Sequence, residues 1–87
     1  MSLLTSLAEA KADGLKNAGF LTVDKAFCGI QVPQDSIDSE VIAGMSENHL
    51  SYDQAIDFTV VYGTRIYNYL NGKKELGKYC AARRAST

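Results

Sequence analysis

The chain has 87 residues, 46% of them hydrophobic and 22% charged, which is ordinary usage for a single folded domain and argues against both disorder and a membrane protein. Its formal net charge is only -1, but residues 1–64 hold nine carboxylates against Lys11, Lys16 and Lys25. Residues 65–87 hold Arg65, Lys73, Lys74, Lys78, Arg83 and Arg84 against Glu75, so the two parts carry formal charges of -6 and +5. Such a lengthwise dipole points to a charged partner, or to copies meeting head to tail, more than to chemistry on a small molecule.

Residues 1–7 are mildly apolar, but no basic residue precedes them and Glu9, Lys11 and Asp13 follow, so they do not read as a secretory signal. No stretch approaches the roughly eighteen uninterrupted apolar residues that a membrane span needs. A cytoplasmic protein, or one packaged in a particle assembled there, is expected. Leu4, Leu7, Ala8, Leu15 and Ala18 recur at helical spacing, predicting a first helix over 3–18 with Gly19 as its stop. Thr22 then caps a short second helix in which Val23, Ala26, Phe27 and Ile30 follow the same spacing as far as Gly29; extended chain through the β-prone residues is the rival reading. Pro33 disfavours helical geometry at Val32, so an extended link follows.

Asp35, Asp38 and Glu40 gather at the front of a third helix running from Gln34 or Ser36 to Ala43, where they complement the positive end of the helix dipole. Ile37, Val41 and Ile42 lie within it, Gly44 is its expected terminator, and 46–50 reads as a polar loop. The strongest element begins at Ser51, which forms a capping box with Gln54, and ends at Asn71-Gly72. Within it Tyr52, Ala55, Ile56, Thr59, Val60, Gly63, Ile66, Tyr67 and Leu70 form one broad face. Phe58, Val60 and Tyr62 also alternate as in a strand, but Asp57, Asn68 and the caps favour a helix of about twenty residues. Leu76, Tyr79, Cys80 and Arg83 recur at helical spacing in a final helix over 73–82, followed by a frayed basic tail at 83–87. The predicted fold is an all-α single domain over 1–87, a small bundle of four to five helices with 51–70 as its spine.

Beside the main face of that spine, Phe58, Tyr62 and Tyr69 form a second stripe with Arg65 at its edge. The two stripes together cover more than half the helix, which suits either a protein interface, where Tyr and Arg are favoured anchors, or a central helix wrapped by its neighbours. Ala55, Thr59 and Gly63 make a ridge of small residues that lets another helix of the monomer approach closely. Lys73, Lys74, Lys78, Arg83 and Arg84 form a solvated face, or contact an acidic protein, or contact the phosphates of a nucleic acid with Tyr69 and Tyr79 stacking on bases. A pI near 5.7 is low for a nucleic-acid binder. The acidic residues Asp35, Asp38, Glu40, Glu47, Asp53 and Asp57 are either solvated or the complement of that basic end.

Cys28 and Cys80 stand 52 positions apart without a second Cys near either. No zinc or thioredoxin-like spacing results, and both read as buried apolar groups in a reducing compartment, with a disulfide or a reactive thiol as alternatives. His49, the single imidazole, lies beside Glu47 in the predicted loop. There is no Gly-rich phosphate loop, and no cofactor or metal ligand set is identified. These observations favour a non-catalytic interaction protein: a small adaptor, inhibitor or assembly subunit of the kind found in phages and mobile elements. A nucleic-acid-binding module using the basic C-terminal helix is the alternative, and a small Cys/His-dependent enzyme the second.

Overall fold

The computed structural model describes residues 14–86, which form the expected all-α fold with no strand among them. Its helices are α1 (Gly14–Phe27), α2 (Gln34–Asn48), α3 (Tyr52–Gly72) and α4 (Leu76–Ala85). Leu4, Leu7 and Ala8, which belong to the predicted first helix, lie outside the described residues. From Gly14 onward, α1 runs through Gly19 and Thr22 without a break, so the two helices predicted on either side of Gly19 are one. A Cβ on Gly19 would stand 3.0 Å from the Cβ of Tyr62 and 3.1 Å from the backbone nitrogen of Gly63. Gly19 is therefore a point of close helix approach. Thr22, expected to cap, instead donates its hydroxyl to the carbonyl of Ala18 at 2.8 Å inside the helix. The helix stops where Gly29 takes φ +67, and an extended link leads to Pro33 as predicted.

The predicted end of α2 at Ala43 also moves, because Gly44 is buried within the helix and the segment 46–48 continues it. A Cβ on Gly44 would run into the Leu15 side chain, and one on Gly14 would lie 2.7 Å from the Glu40 carbonyl oxygen and 2.8 Å from the Gly44 nitrogen. The backbones of α1 and α2 thus cross in direct contact. The helix ends at His49, held in the left-handed region with φ 54, and the Leu50 N–H donates to the Met45 carbonyl at 3.0 Å. This is a Schellman-type end, and Met45 and Leu50 both pack on the buried cluster.

The capping box of α3 forms as predicted, with Gln54 N–H donating to Ser51 Oγ at 3.2 Å and Ser51 N–H to Gln54 Oε1 at 2.9 Å. At its other end Lys74 adopts φ 57, and the Glu75 and Lys74 N–H groups donate to the carbonyls of Leu70 (2.8 Å) and Asn71 (3.1 Å). This second Schellman motif makes a turn of residues 73–75, so α4 starts at Leu76 instead of Lys73. The helix also continues through Arg83 and Arg84 to Ala85, in place of a tail fraying from 83.

The buried cluster comprises Leu15, Ala18, Ile37, Val41 and Ala55, with Leu21, Val32, Met45, Leu50, Ile56 and Tyr62 packed around it. Ala55, Thr59 and Gly63 are the buried residues of α3, so the small-residue ridge closes on α1 inside the monomer. Helix α1 packs along both α2 and α3, whereas α4 contributes only Cys80 to the buried set. The largest completely enclosed side chains are Val23 and Val41. Close backbone contact leaves little space for anything larger. Tyr52 and Val60, which the periodicity places on the main apolar face, are accordingly 47% and 58% exposed.

Gly44→Ala is expected to destabilise the fold by about 1–3 kcal/mol, because the added methyl must displace a packed Leu15. Gly77, where a Cβ meets nothing within 4 Å, should instead tolerate Ala with a gain of about 0.5 kcal/mol. Urea unfolding midpoints of the two variants check both signs.

Candidate functional site

Helix α4 is fastened to the end of α1 by three kinds of bond. Cys28 and Cys80 form a disulfide with their Cα atoms 5.1 Å apart, which corrects the reading of two separate thiols. One turn before Cys28, the buried carboxylate of Asp24 accepts the Tyr79 hydroxyl on Oδ1 at 2.7 Å. The Arg83 guanidinium grips the same carboxylate through Nε (3.1 Å to Oδ1, 2.9 Å to Oδ2) and Nη2 (2.7 Å to Oδ2). Arg84 Nη2 donates to the Cys28 carbonyl at 2.9 Å. Burial raises the ionisation of Tyr79 well above the ordinary tyrosine value, and the hydrogen bond to the Asp24 carboxylate adds to the effect.

Asp24 has no obvious role in the sequence, yet a signal for it exists. Asp24 and Cys28 are four residues apart on one helix face, and Tyr79, Cys80 and Arg83 share a face of another. Pairing the cysteines aligns the opposite charges as well.

Beside this fastening, Phe20 of α1, Arg65, Ile66, Tyr69 and Leu70 of α3 and Tyr79 of α4 line a groove of about 330 Å³. The Phe20 and Tyr79 rings stack with centroids 6.2 Å apart, and the Arg83 guanidinium lies 5.7 and 5.6 Å from those centroids. Lys73 Nζ sits 5.4 Å from the centroid of Tyr69. The result is an apolar, aromatic depression bordered by cations. Arg83 is neutralised by Asp24, whereas Arg65 and Lys73 are in no salt bridge among the described residues.

The four residues of the predicted stripe divide. Phe58 (46% exposed) and Tyr69 (61%) stand outward on α3, and Arg65 is exposed between them. Tyr62 turns inward and packs on the buried cluster. Val61, on the same side as Phe58 and Arg65, is 42% exposed and extends the outward stripe. On the other flank of α3, Phe27 stacks on Tyr67 with centroids 4.1 Å apart while remaining half exposed. Of the basic group, Lys73, Lys74 and Lys78 are exposed, while Arg83 and Arg84 bond within the chain. His49 serves as the end of α2, and the two sulfurs are joined to each other, so no Cys-His pair forms. Among the described residues no group of three or more His, Cys, Asp or Glu is placed to hold a metal ion, and no helix is long and apolar enough to cross a membrane.

No family model, curated protein or solved structure matches this chain.

The disulfide closes a loop spanning 52 positions, for which loop-closure entropy gives about 4 kcal/mol. Cys80→Ser is expected to lower unfolding stability by about that amount in denaturant titrations. A second expectation follows from Tyr79. Because the fold raises its ionisation above the unfolded value of 10.0, its contribution is complete below pH 10 and is lost as pH rises further. The stability difference between wild type and Tyr79→Phe should be about 1–3 kcal/mol near neutrality and should shrink in unfolding curves recorded above pH 10.

Proposed function

We propose that this domain is a non-catalytic protein-binding module, an adaptor, inhibitor or assembly subunit, that engages its partner through the outward stripe Phe58, Val61, Arg65 and Tyr69 and the groove beside it. The observation that carries this reading is the placement of large rings on the outside of a regular, well-capped helix. Phe58 and Tyr69 are about half or more exposed, and Tyr69 and Arg65 both line an apolar groove. Exposed aromatic side chains flanked by Arg are the usual anchors of protein interfaces, and the cations favour a partner segment that is apolar and acidic.

Nucleic-acid binding finds less support. Arg83 and Arg84 hold α4 in place, and Lys73 lies over Tyr69, where it competes with any base for the ring. The cysteine pairing also bears on where the protein works. Disulfides persist mainly in oxidising surroundings, so we place it in such a setting in preference to the reducing cytoplasm.

A partner captured from the native host by the disulfide-intact protein supplies the test, by titration against purified variants. Tyr69→Ala and Phe58→Ala should each weaken binding roughly ten-fold or more with the helical circular dichroism unchanged. Wild-type affinity in both variants would overturn the assignment. A partner that proves to be nucleic acid, with steep salt dependence and loss on changing Lys73, Lys74 and Lys78 to Glu, would replace it.

A further inference from the structure

The outer face of α2 is the chemical complement of the groove. Ile37 and Val41 face the interior at 7% and 0% exposure, but Ile42 stands out at 58%. Asp38 and Asp35 precede Ile42 by four and seven residues and therefore share its face. Helix α2 contains four carboxylates and no Lys or Arg. Two of the four are engaged with α1: Glu40 accepts from Asn17 Nδ2 at 3.3 Å, and Glu47 from the Gly14 N–H at 3.2 Å. Asp38 accepts a neutral amide from Gln34 at 3.1 Å, and among the described residues neither it nor Asp35 is in a salt bridge. The groove offers the reverse: an apolar depression lined by Phe20, Ile66, Tyr69, Leu70 and Tyr79, with Arg65 and Lys73 in no salt bridge among the described residues. No residue of α2 lines it.

We propose that this groove receives α2 of a second copy of the chain, with Ile42 as the apolar knob and Asp35 and Asp38 facing Arg65 and Lys73. The proposal rests on the reading of the α3 surface as a protein interface and names its occupant. Knob and groove are different patches of one molecule, so a single such contact is heterologous: the pair keeps one free knob on one copy and one free groove on the other, and assembly continues until a ring closes or a filament grows. The paired charges lie at the exposed rim, so the association weakens as salt screens them.

Sedimentation velocity of the disulfide-intact full chain across a concentration series tests this. The mass should rise above the monomer with concentration, and the rise should be suppressed at about 0.5 M salt. Ile42→Asp, which removes the knob, and Tyr69→Ala, which damages the groove, should each weaken self-association roughly ten-fold or more while circular dichroism stays unchanged. Mixed together, the two variants retain one good knob and one good groove between them and should form a one-to-one dimer that grows no further. A wild-type chain that remains monomeric throughout overturns the proposal, and Tyr69-dependent capture of a different protein would then leave the interface reading of α3 standing. Self-association untouched by Ile42→Asp would also overturn it, since a second copy would be docking through another patch.

Discussion

The crossing of α1 with α2 at Gly14 and Gly44, and with α3 at Gly19 and Gly63, brings helix backbones into contact that a single methyl would disturb. Close approach gains dispersion contacts along both interfaces, but it leaves an interior of aliphatic side chains, Leu15, Ala18, Val23, Ile37, Val41 and Ala55, that encloses no aromatic ring completely. Apart from Tyr62, which packs against this cluster, the rings lie farther out. Phe20 and Tyr79 stack at the rim against Arg83, Phe27 stacks on Tyr67 at the surface, and Phe58 and Tyr69 face outward. The exposed aromatic surface is thus a direct result of how tightly the helices pack.

A core of small side chains also gives α4 little to pack against, which explains the concentration of strong bonds where it meets α1. The disulfide restricts the unfolded chain, and the Asp24 carboxylate, taken out of water, receives donors from both Tyr79 and Arg83. A buried ion pair contributes little net stability compared with apolar packing, but it is costly to leave half-made. The arrangement therefore fixes where α4 lies more than it strengthens the whole. Because Tyr79 belongs both to this bond set and to the groove wall, the fastening also sets the shape of the groove.

Much of α3 was legible in the sequence because its signals are local: Ser51 and Gln54 meet within one turn, and the chain does turn just after Asn71-Gly72. The all-helical class followed from the same periodicity. Gly19 and Gly44 misled for a definite reason. A glycine that ends a helix and one that admits a neighbouring backbone look alike until the neighbour is known, and the neighbours of these two lie more than twenty residues away. The same holds for Cys28 and Cys80, and for Asp24, whose partners come from the opposite end of the chain. Tyr62 shares the second stripe by angle, and the approach of α1 at Gly19 covers it, so that it packs on the buried cluster. Phe58, Arg65 and Tyr69 were legible as members of a second stripe, but that they stand outward depends on where the other helices pack.

The capped, closely seated α3 has a thermodynamic corollary. Side chains such as Tyr69 and Phe58 have only two rotatable bonds each, and the backbone beneath them is already ordered in the free molecule. Little conformational freedom remains to be surrendered when another surface settles there. Recognition on this face would resemble the docking of preformed shapes, with its selectivity residing in fit and charge and only a small entropic penalty to overcome.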